Sequence, residues 1–350
     1  MKLMAGLLFA VIVCVVCYLI YVLPVYLLLD LLAGGGVFRP SGVMIAGCLS
    51  LPVLLYLRTH MTSPLLRGLT HYGMGFGFIG LCIFGAGQLA AAFLPLFQME
   101  IGMFCLAIFV LVGAKSILNG RHITTIELQI TSDRLNAEAR FIFISDVHLG
   151  SNPQSHLERI IEMITPHEYD ALLIGGDLFD ASSFQPEILS PLRELDKPIY
   201  FVTGNHEYYV KGHQDKLAAL GQYNITMLDN EAIQVAGIHL IGISDNQNRQ
   251  TQTQTARQLI HPQMFNFVLV HQPGIWEMVP ENTDFMCSGH THNGQIFPFN
   301  WLVRLQFSAV YGLYERGGSR LYVSSGAGTW GPRMRLGTRN EIVRITFSPE

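Results

Sequence analysis

Two kinds of apolar pattern divide the chain. Up to residue 120, apolar positions run on almost unbroken in four segments, at about 3–29, 42–57, 69–97 and 101–118. Crossing the hydrocarbon core of a bilayer takes roughly 20 apolar residues. The first and third segments are long enough, the fourth suffices, and the second is short and carries Pro52. This predicts an all-α transmembrane unit of about four helices over residues 1–120. The first segment is not a cleaved signal peptide on this reading: it is long, has only Lys2 ahead of it, and further apolar segments follow. Gly73, Gly75, Gly77, Gly80, Gly85 and Gly87 crowd the third segment, where they let helices pack closely or make room for a lipid.

Beyond residue 120 the apolar residues come in short bursts. HITTIELQI (122–130) is β-branched and alternates like a strand. RFIFISDVHLG (140–150), ALLIGGDLFD (171–180), PIYFVTGNHE (198–207), GIHLIGISD (237–245), FNFVLVHQP (265–273) and DFMCSGHTH (284–292) share another design, a short apolar run ending in Asp, Asn or His. Helix-compatible stretches at 154–164 and 186–195 separate the first three of these. Such runs suit strands buried on both faces. Polar residues at their C-terminal ends then gather along one edge, where α/β sheets bind ligands. Hairpin-like spacing after residue 225 adds antiparallel strands. Residues 121–350 thus predict one α/β domain with two sheets packed together.

Charge sharpens the division. Only 14% of the 350 residues are charged, against roughly a quarter in soluble domains. Residues 1–120 hold five Lys/Arg and two acids, a net of +3, which leaves 17 and 24 for the remainder, a net of −7. An acidic domain of this kind does not suit a nucleic-acid binder, which carries a basic face. With four spans, Lys2, Arg58, Arg67, Lys115 and Arg121 share the side of both termini and Arg39 lies opposite. The positive-inside rule then puts the C-terminal domain in the cytoplasm. Five of the six cysteines fall in the apolar segments and only Cys287 lies in the second unit, so no disulfide framework forms there.

The strand ends carry Asp146, His148, Asp177, Asp180, Asn205, His206, Glu207, His271, His290 and His292. A lone histidine among thirteen says little; His156, His167, His213 and His261 sit in polar or helix-flanking contexts. The ordered set is different: Asp-Val-His, Gly-Gly-Asp, Gly-Asn-His-Glu, Val-His and Gly-His-Thr-His. With these blocks the chain resembles the calcineurin-like metallophosphoesterases over about residues 121–350. GDLFD, GHTHNGQ and the tail TWGPRMRLGTRNEI (329–342) are similar to the membrane-anchored bacterial branch, which includes UDP-diacylglucosamine pyrophosphatase-type enzymes.

The resemblance implies a layered fold of two mixed sheets flanked by helices, and two divalent metal ions, with Mn expected and Fe or Zn as alternatives. One ion would take Asp146, His148, Asp177 and His292; the other would take Asp177, Asn205, His271 and His290, with Asp177 bridging. Imidazole, carboxylate and amide oxygen are suitable donors for such metals, and the absence of thiolate argues against a structural zinc–cysteine site. A metal-activated hydroxide would cleave a phosphoester or pyrophosphate. His206 would stabilise the transition state or protonate the leaving oxygen, with Glu207 or another nearby carboxylate orienting its ring. Glycines before Asp177, Asn205 and His290 would let the backbone turn sharply. Asp180 either backs a ligand or caps a helix. Arg333 and Arg335 are either solvated charges or a phosphate clamp.

Segment 297–314, FPFNWLVRLQFSAVYGLY, follows His292 directly. It is a core or helix-contacting segment, or an interfacial surface that admits a lipid tail. The expected partners are therefore the membrane and a phosphorylated lipid or nucleotide-lipid, at a bacterial inner membrane with the domain facing the cytoplasm. The alternatives are a tethered phosphoesterase for soluble nucleotides or phosphoproteins, and a non-catalytic metal-binding sensor.

Overall fold

The computed structural model describes residues 2–34 and 64–350, and between them only Ile45 and Cys48. It divides into two compact units, Met1–Leu118 and Asn119–Glu350. Among the described residues of the first, three helical segments are long and apolar enough to cross a membrane: Gly6–Leu32, Leu66–Phe93 and Pro95–Arg121. The expected segment at 42–57 lies outside the described residues.

The first span comprises α1 (Lys2–Cys17), a wider π turn (Tyr18–Val22) and α2 (Leu23–Leu32). The turn sits just before Pro24, which offers no N–H to the preceding carbonyls. α3 (Pro64–Phe93) uses the irregularity. Gly77 lies so close to the Ile20 carbonyl that any Cβ there would overlap it, the close approach expected of small residues between membrane helices. Asp30 accepts from Gln88 Nε2 at 2.9 Å, so this near-terminal acid has a partner within its own unit. α4 (Gln98–Arg121) closes the unit and runs to within one residue of the first strand.

The second unit is a four-layer α/β sandwich. Its first sheet orders β1 (Ile123–Thr131), β12 (Asn340–Ser348), β2 (Ala139–Ile144), β3 (Ala171–Gly175), β4 (Ile199–Val202) and β5 (Ile225–Met227). The second orders β10 (Gly312–Arg316), β11 (Ser319–Val323), β9 (Phe285–Ser288), β8 (Asn266–Val270), β7 (Ile238–Ile243) and β6 (Glu231–Val235). Both are mixed: β2 to β5 and β7 to β9 pair in parallel, while β12 meets β2, β6 meets β7 and β10 meets β11 antiparallel.

Side-chain alternation sorts each central strand between two cores. Phe141 and Phe143 of β2, Leu173 of β3, Phe267 and Leu269 of β8, and Phe285 and Cys287 of β9 meet between the sheets. The alternate residues Ile142, Ile144, Leu172 and Ile174 face α5 (Gln154–Ile164), whose Leu157, Ile160, Ile161 and Ile164 form its buried stripe. Val268, Val270 and Met286 face the other way, toward Ala256, Ile275 and Trp276. Cys287 is therefore core, not chemistry. The stretch expected as a helix at 186–195 is instead a 3₁₀ segment, Pro186–Glu194. Pro191 inside it removes an N–H that an α-helix would need.

Candidate metal centre

The loops after five parallel strands converge at one edge. Asp146 and His148 follow β2, Asp177 follows β3, Asn205 and His206 open α6 (Asn205–Tyr209) after β4, His271 follows β8, and His290 and His292 follow β9. Both sheets contribute, so the centre lies across the open end of the sandwich. Donor atoms of Asp146, His148 and His292 lie within 4.8 Å of one another, as do those of His148, Asp177 and His206, and of Asp177, His271 and His290. Asn205 Oδ1 joins the last group at 3.1 Å from His271 Nε2. All seven expected ligands are thus brought together, with Asp177 between the two groups and His206 beside it.

Hydrogen bonds behind the rings test whether cations fit here. His271 Nδ1 lies 2.9 Å from the Gly175 carbonyl, which can only accept, so Nδ1 carries the hydrogen. The neutral ring then aims a bare Nε2 at Asn205 Oδ1, at Asp177 Oδ2 3.2 Å away, and at His290 Nδ1 3.1 Å away. His148 has a carboxylate behind it at ion-pair distance, without hydrogen-bond geometry. Its Nδ1 is 3.3 Å from Asp180 Oδ2, and its Nε2 faces His292 Nε2 at 3.1 Å and Asp177 Oδ2 at 3.7 Å. Lone pairs converge from several sides on two points, an arrangement that requires positive charge. Without an ion a proton serves: burial works against it, but the carboxylates, Asp177 foremost, raise His271 well above the ordinary histidine range. Burial holds His206 down to about 4 and His290 to about 3, and puts His292 well below its usual value, so these rings are neutral donors of lone pairs. The nitrogen and oxygen set, with no thiolate, suits a pair of divalent ions. His292 has a cation behind it, its Nδ1 lying 3.4 Å from the Arg335 guanidinium.

The backbone is strained to achieve this. Asp146, His148, Asp177, His290 and His292 all have φ between 49° and 70°, in the left-handed region, at a cost of order 1–3 kcal/mol each. Gly176 turns at φ 88°, and a Cβ on it would come within 2.6 Å of His271 Nδ1. The glycines before Asn205 and His290 serve another purpose than the expected sharp turn. Gly204 is extended, at φ −104° and ψ −176°, and gives room to the Asp177 carboxylate; Gly289 gives room to that of Asp146.

Two expected roles change. Glu207 does not orient the His206 ring. It is fully buried, and its carboxylate accepts from the backbone N–H groups of Gly204 (2.7 Å), Asp177 (3.0 Å) and Phe179 (3.1 Å), clamping two ligand loops together. Burial, with Asp177 nearby, pushes its pKa up to about 8. The carboxylate beside His206 is Asp177, with Oδ2 4.0 Å from Nε2. Arg335 is neither solvated nor a phosphate clamp. It is completely buried; its guanidinium donates to the carbonyls of His292 (3.0 Å), Gly328 (2.7 Å) and Ser325 and to Asn340 Oδ1. Arg333 is half-buried, and its charge contributes to depressing His156. Of the two readings of Asp180, contact with a ligand ring prevails: it backs His148 and accepts from Ser151 N at 2.9 Å.

Sequence reasoning missed the 324–330 loop, SSGAGTW. Ala327 N bonds to the Ser145 carbonyl and Gly328 N to that of Asp146, stitching the Asp146 loop in place. The signal was present, since LYVSSG is one more apolar run with a polar end. Glu341 was also missed: it is buried, accepts from Tyr322, Tyr311 and Ser324 hydroxyls, and lies in the electrostatic neighbourhood of Arg335. Exposed rings of Tyr209 and Trp330 flank His206 at 5.4 and 5.8 Å between centroids.

Comparison with known proteins agrees with this geometry. An uncharacterized metallophosphoesterase of Campylobacter jejuni is 30% identical over 263 residues, covering 71% of this chain and 69% of its own length. The chain belongs to the metallophosphoesterase family. The family model for calcineurin-like phosphoesterases matches residues 139–294, from β2 through the last candidate ligand. An uncharacterized metallophosphoesterase of Helicobacter pylori is 36% identical over 236 residues, and the alignment spans 64% of each chain. A bovine relative described as a transmembrane protein with metallophosphoesterase domain is 30% identical over 252 residues, covering 64% of this chain and 56% of that protein. Among the described residues of this metallophosphoesterase, three helices are long and apolar enough to cross a membrane.

Proposed function

We propose that the chain is a membrane-anchored phosphohydrolase that cleaves a phosphoester or pyrophosphate bond, in a lipid-linked substrate such as a phospholipid or a UDP-diacylglucosamine-like molecule. The convergence of bare imidazole and carboxylate lone pairs on two points, with His206 at the rim, carries this reading. Asp146, His148, Asp177 and His292 would hold one divalent ion, and Asp177, Asn205, His271 and His290 the other, with Mn the first candidate. Such ions supply Lewis-acid polarisation of the phosphate and a water acidic enough to attack near neutral pH.

The protein's own groups do the rest. Asp177 and the paired histidines set where the phosphate can sit. The His206 ring is more open than those of His148 and His271, with 17% of its side chain exposed against 0% for each of them. A bound phosphate brings negative charge against it and favours its protonated form, and Nε2 can then pass a proton to the leaving oxygen. Glu207 keeps the Asp177 and Gly204 loops in register without touching substrate. The apolar helices favour the lipid-linked class. A soluble nucleotide is the second reading, favoured by the flat exposed rings of Tyr209 and Trp330 beside His206.

Purified full-length protein with Mn is expected to hydrolyse an aryl phosphodiester, and incubation with a bacterial membrane lipid extract should yield new product masses. Turnover of free nucleotides with no change in the lipid extract would replace the first substrate class by the second. We place the domain on the cytoplasmic face of a bacterial inner membrane, on the charge distribution about the apolar segments. A C-terminal reporter active only outside the cytoplasm would reverse that placement.

A further inference from the structure

The helix that follows the last candidate ligand is exposed along its length. After α7 (His213–Ala218) and α8 (Arg249–Leu259) comes α9 (Phe299–Gln306, FNWLVRLQ), which has no buried residue. Trp301 is 60% exposed and Leu305 84%, and Phe297, Phe299 and Leu302 are each about half exposed. Single exposed hydrophobes are ordinary, whereas a contiguous patch of this size marks an interaction surface. Five large apolar side chains with Arg304 among them match the composition of helices that lie in a bilayer interface.

The hydrogen bonds of the second unit say which surface is near. The third span ends at Arg121, and its 27 residues make a rod of about 40 Å, longer than the roughly 30 Å hydrocarbon core. Gly120, in its last turn, packs against the Arg333 carbonyl closely enough to exclude a Cβ. Asn340 Nδ2 donates to the Gly120 carbonyl at 3.0 Å. Three residues further on, the Leu336 carbonyl accepts from Phe297 N at 2.9 Å, and Leu336 N donates to the Gln295 carbonyl at 3.0 Å. Between these points Arg335 holds the His292 carbonyl. The segment 333–340 therefore joins the end of a membrane span to the base of α9. Three extended residues reach at most about 11 Å, so the start of α9 lies within about 20 Å of the helix end.

We propose that α9, with Phe297, inserts into the headgroup–acyl boundary of the bilayer that holds the spans. The surface it recognises is lipid, with Trp301, Leu302 and Leu305 among the acyl ends and Arg304 among the phosphates. Because Arg335 and the Gly294–Asn300 contact tie the helix to the His292 loop, the metal centre would open at that interface. This goes beyond the cleavage reading and needs no turnover to be tested.

The chain offers its own probe. It has three tryptophans, Trp276, Trp301 and Trp330, and none in the first 120 residues. Trp276 is buried under Arg316, and Trp330 lies beside His206. The full chain reconstituted in liposomes of lipid brominated near the top of the acyl chain should show quenched tryptophan emission. Trp301→Phe should remove most of that quenching and Trp330→Phe little. A Leu302→Ser/Leu305→Ser double variant, which keeps Trp301, should lose quenching as well. Equal quenching in wild type and Trp301→Phe overturns the proposal. So does blue-shifted Trp301 emission that brominated lipid leaves unquenched, which would place α9 against protein, either a second copy or residues 35–63. Loss of phosphodiester turnover with quenching intact would count against the cleavage reading alone.

Discussion

At the scale of single residues, the centre is arranged from behind. His271 aims Nε2 forward because the Gly175 carbonyl holds its Nδ1, and the Asp180 carboxylate stands 3.3 Å behind the Nδ1 of His148. His206 has a different place, at the rim. His206→Ala should lower kcat on a phosphodiester by about 10²–10⁴-fold while bound metal, read by elemental analysis, stays at the wild-type level; wild-type turnover in that variant would remove His206 from the chemistry. Arg335 is a structural cation. Arg335→Met strands three carbonyls and should cost about 3–5 kcal/mol in unfolding free energy, read by denaturant titration. An unchanged midpoint with only a raised KM would restore the phosphate clamp.

His156 gives a pH prediction away from the ligands. Burial, with Arg333 and Arg159 adding to it, lowers its pKa to about 4, and its Nε2 is held by the Ala327 carbonyl at 2.8 Å. The unfolded chain binds this proton more readily, near an ordinary histidine value of about 6.5. Its contribution is thus fully present above about pH 6.5 and is lost as pH falls toward 4, by roughly 1.4 kcal/mol per unit. His156→Gln should flatten stability against pH in that window, and an unaltered acid limb in the variant would refute this.

At the scale of elements, strand ends and their loops divide the labour. The strands are buried on both faces and hold position, while the loops take the conformations that ligand geometry demands. Gly176 is where the two meet. Gly176→Ala adds strain of about 1–2 kcal/mol at its φ of 88° and presses on the His271 ring. Metal affinity should fall by about 10–100-fold, as for other changes behind a ligand, in a calorimetric titration, with the far-ultraviolet spectrum unchanged. Affinity equal to wild type would show that the loop yields freely. The same elements show how far the pattern was legible. Apolar runs with polar ends located β2, β3, β4, β7, β8 and β9 and the residues behind them. The 3₁₀ stretch at Pro186–Glu194 was not legible as such, because hydrophobic spacing alone does not separate it from an α-helix.

At the scale of the whole molecule, the centre bridges both sheets, so its charge balance bears on the stability of the entire sandwich. Chelation should lower the thermal midpoint of the second unit, and adding back Mn, Fe or Zn should restore it. A metal at 100 times its dissociation constant contributes about 2.7 kcal/mol. A midpoint indifferent to chelator and metal alike would argue against the pair of ions.

Burial periodicity and donor chemistry are written locally, so the two-part chain, the layered α/β domain and the set of residues at the strand ends could be read from the residues alone. The sequence could not say what those residues face. Whether Glu207 touches a ring or a backbone, whether Arg335 is solvated or sealed, and whether Gly204 serves a turn or a close approach depend on loops far apart in the chain meeting at one edge. The folded arrangement settles them, because the groups each residue meets are supplied by loops distant in the chain.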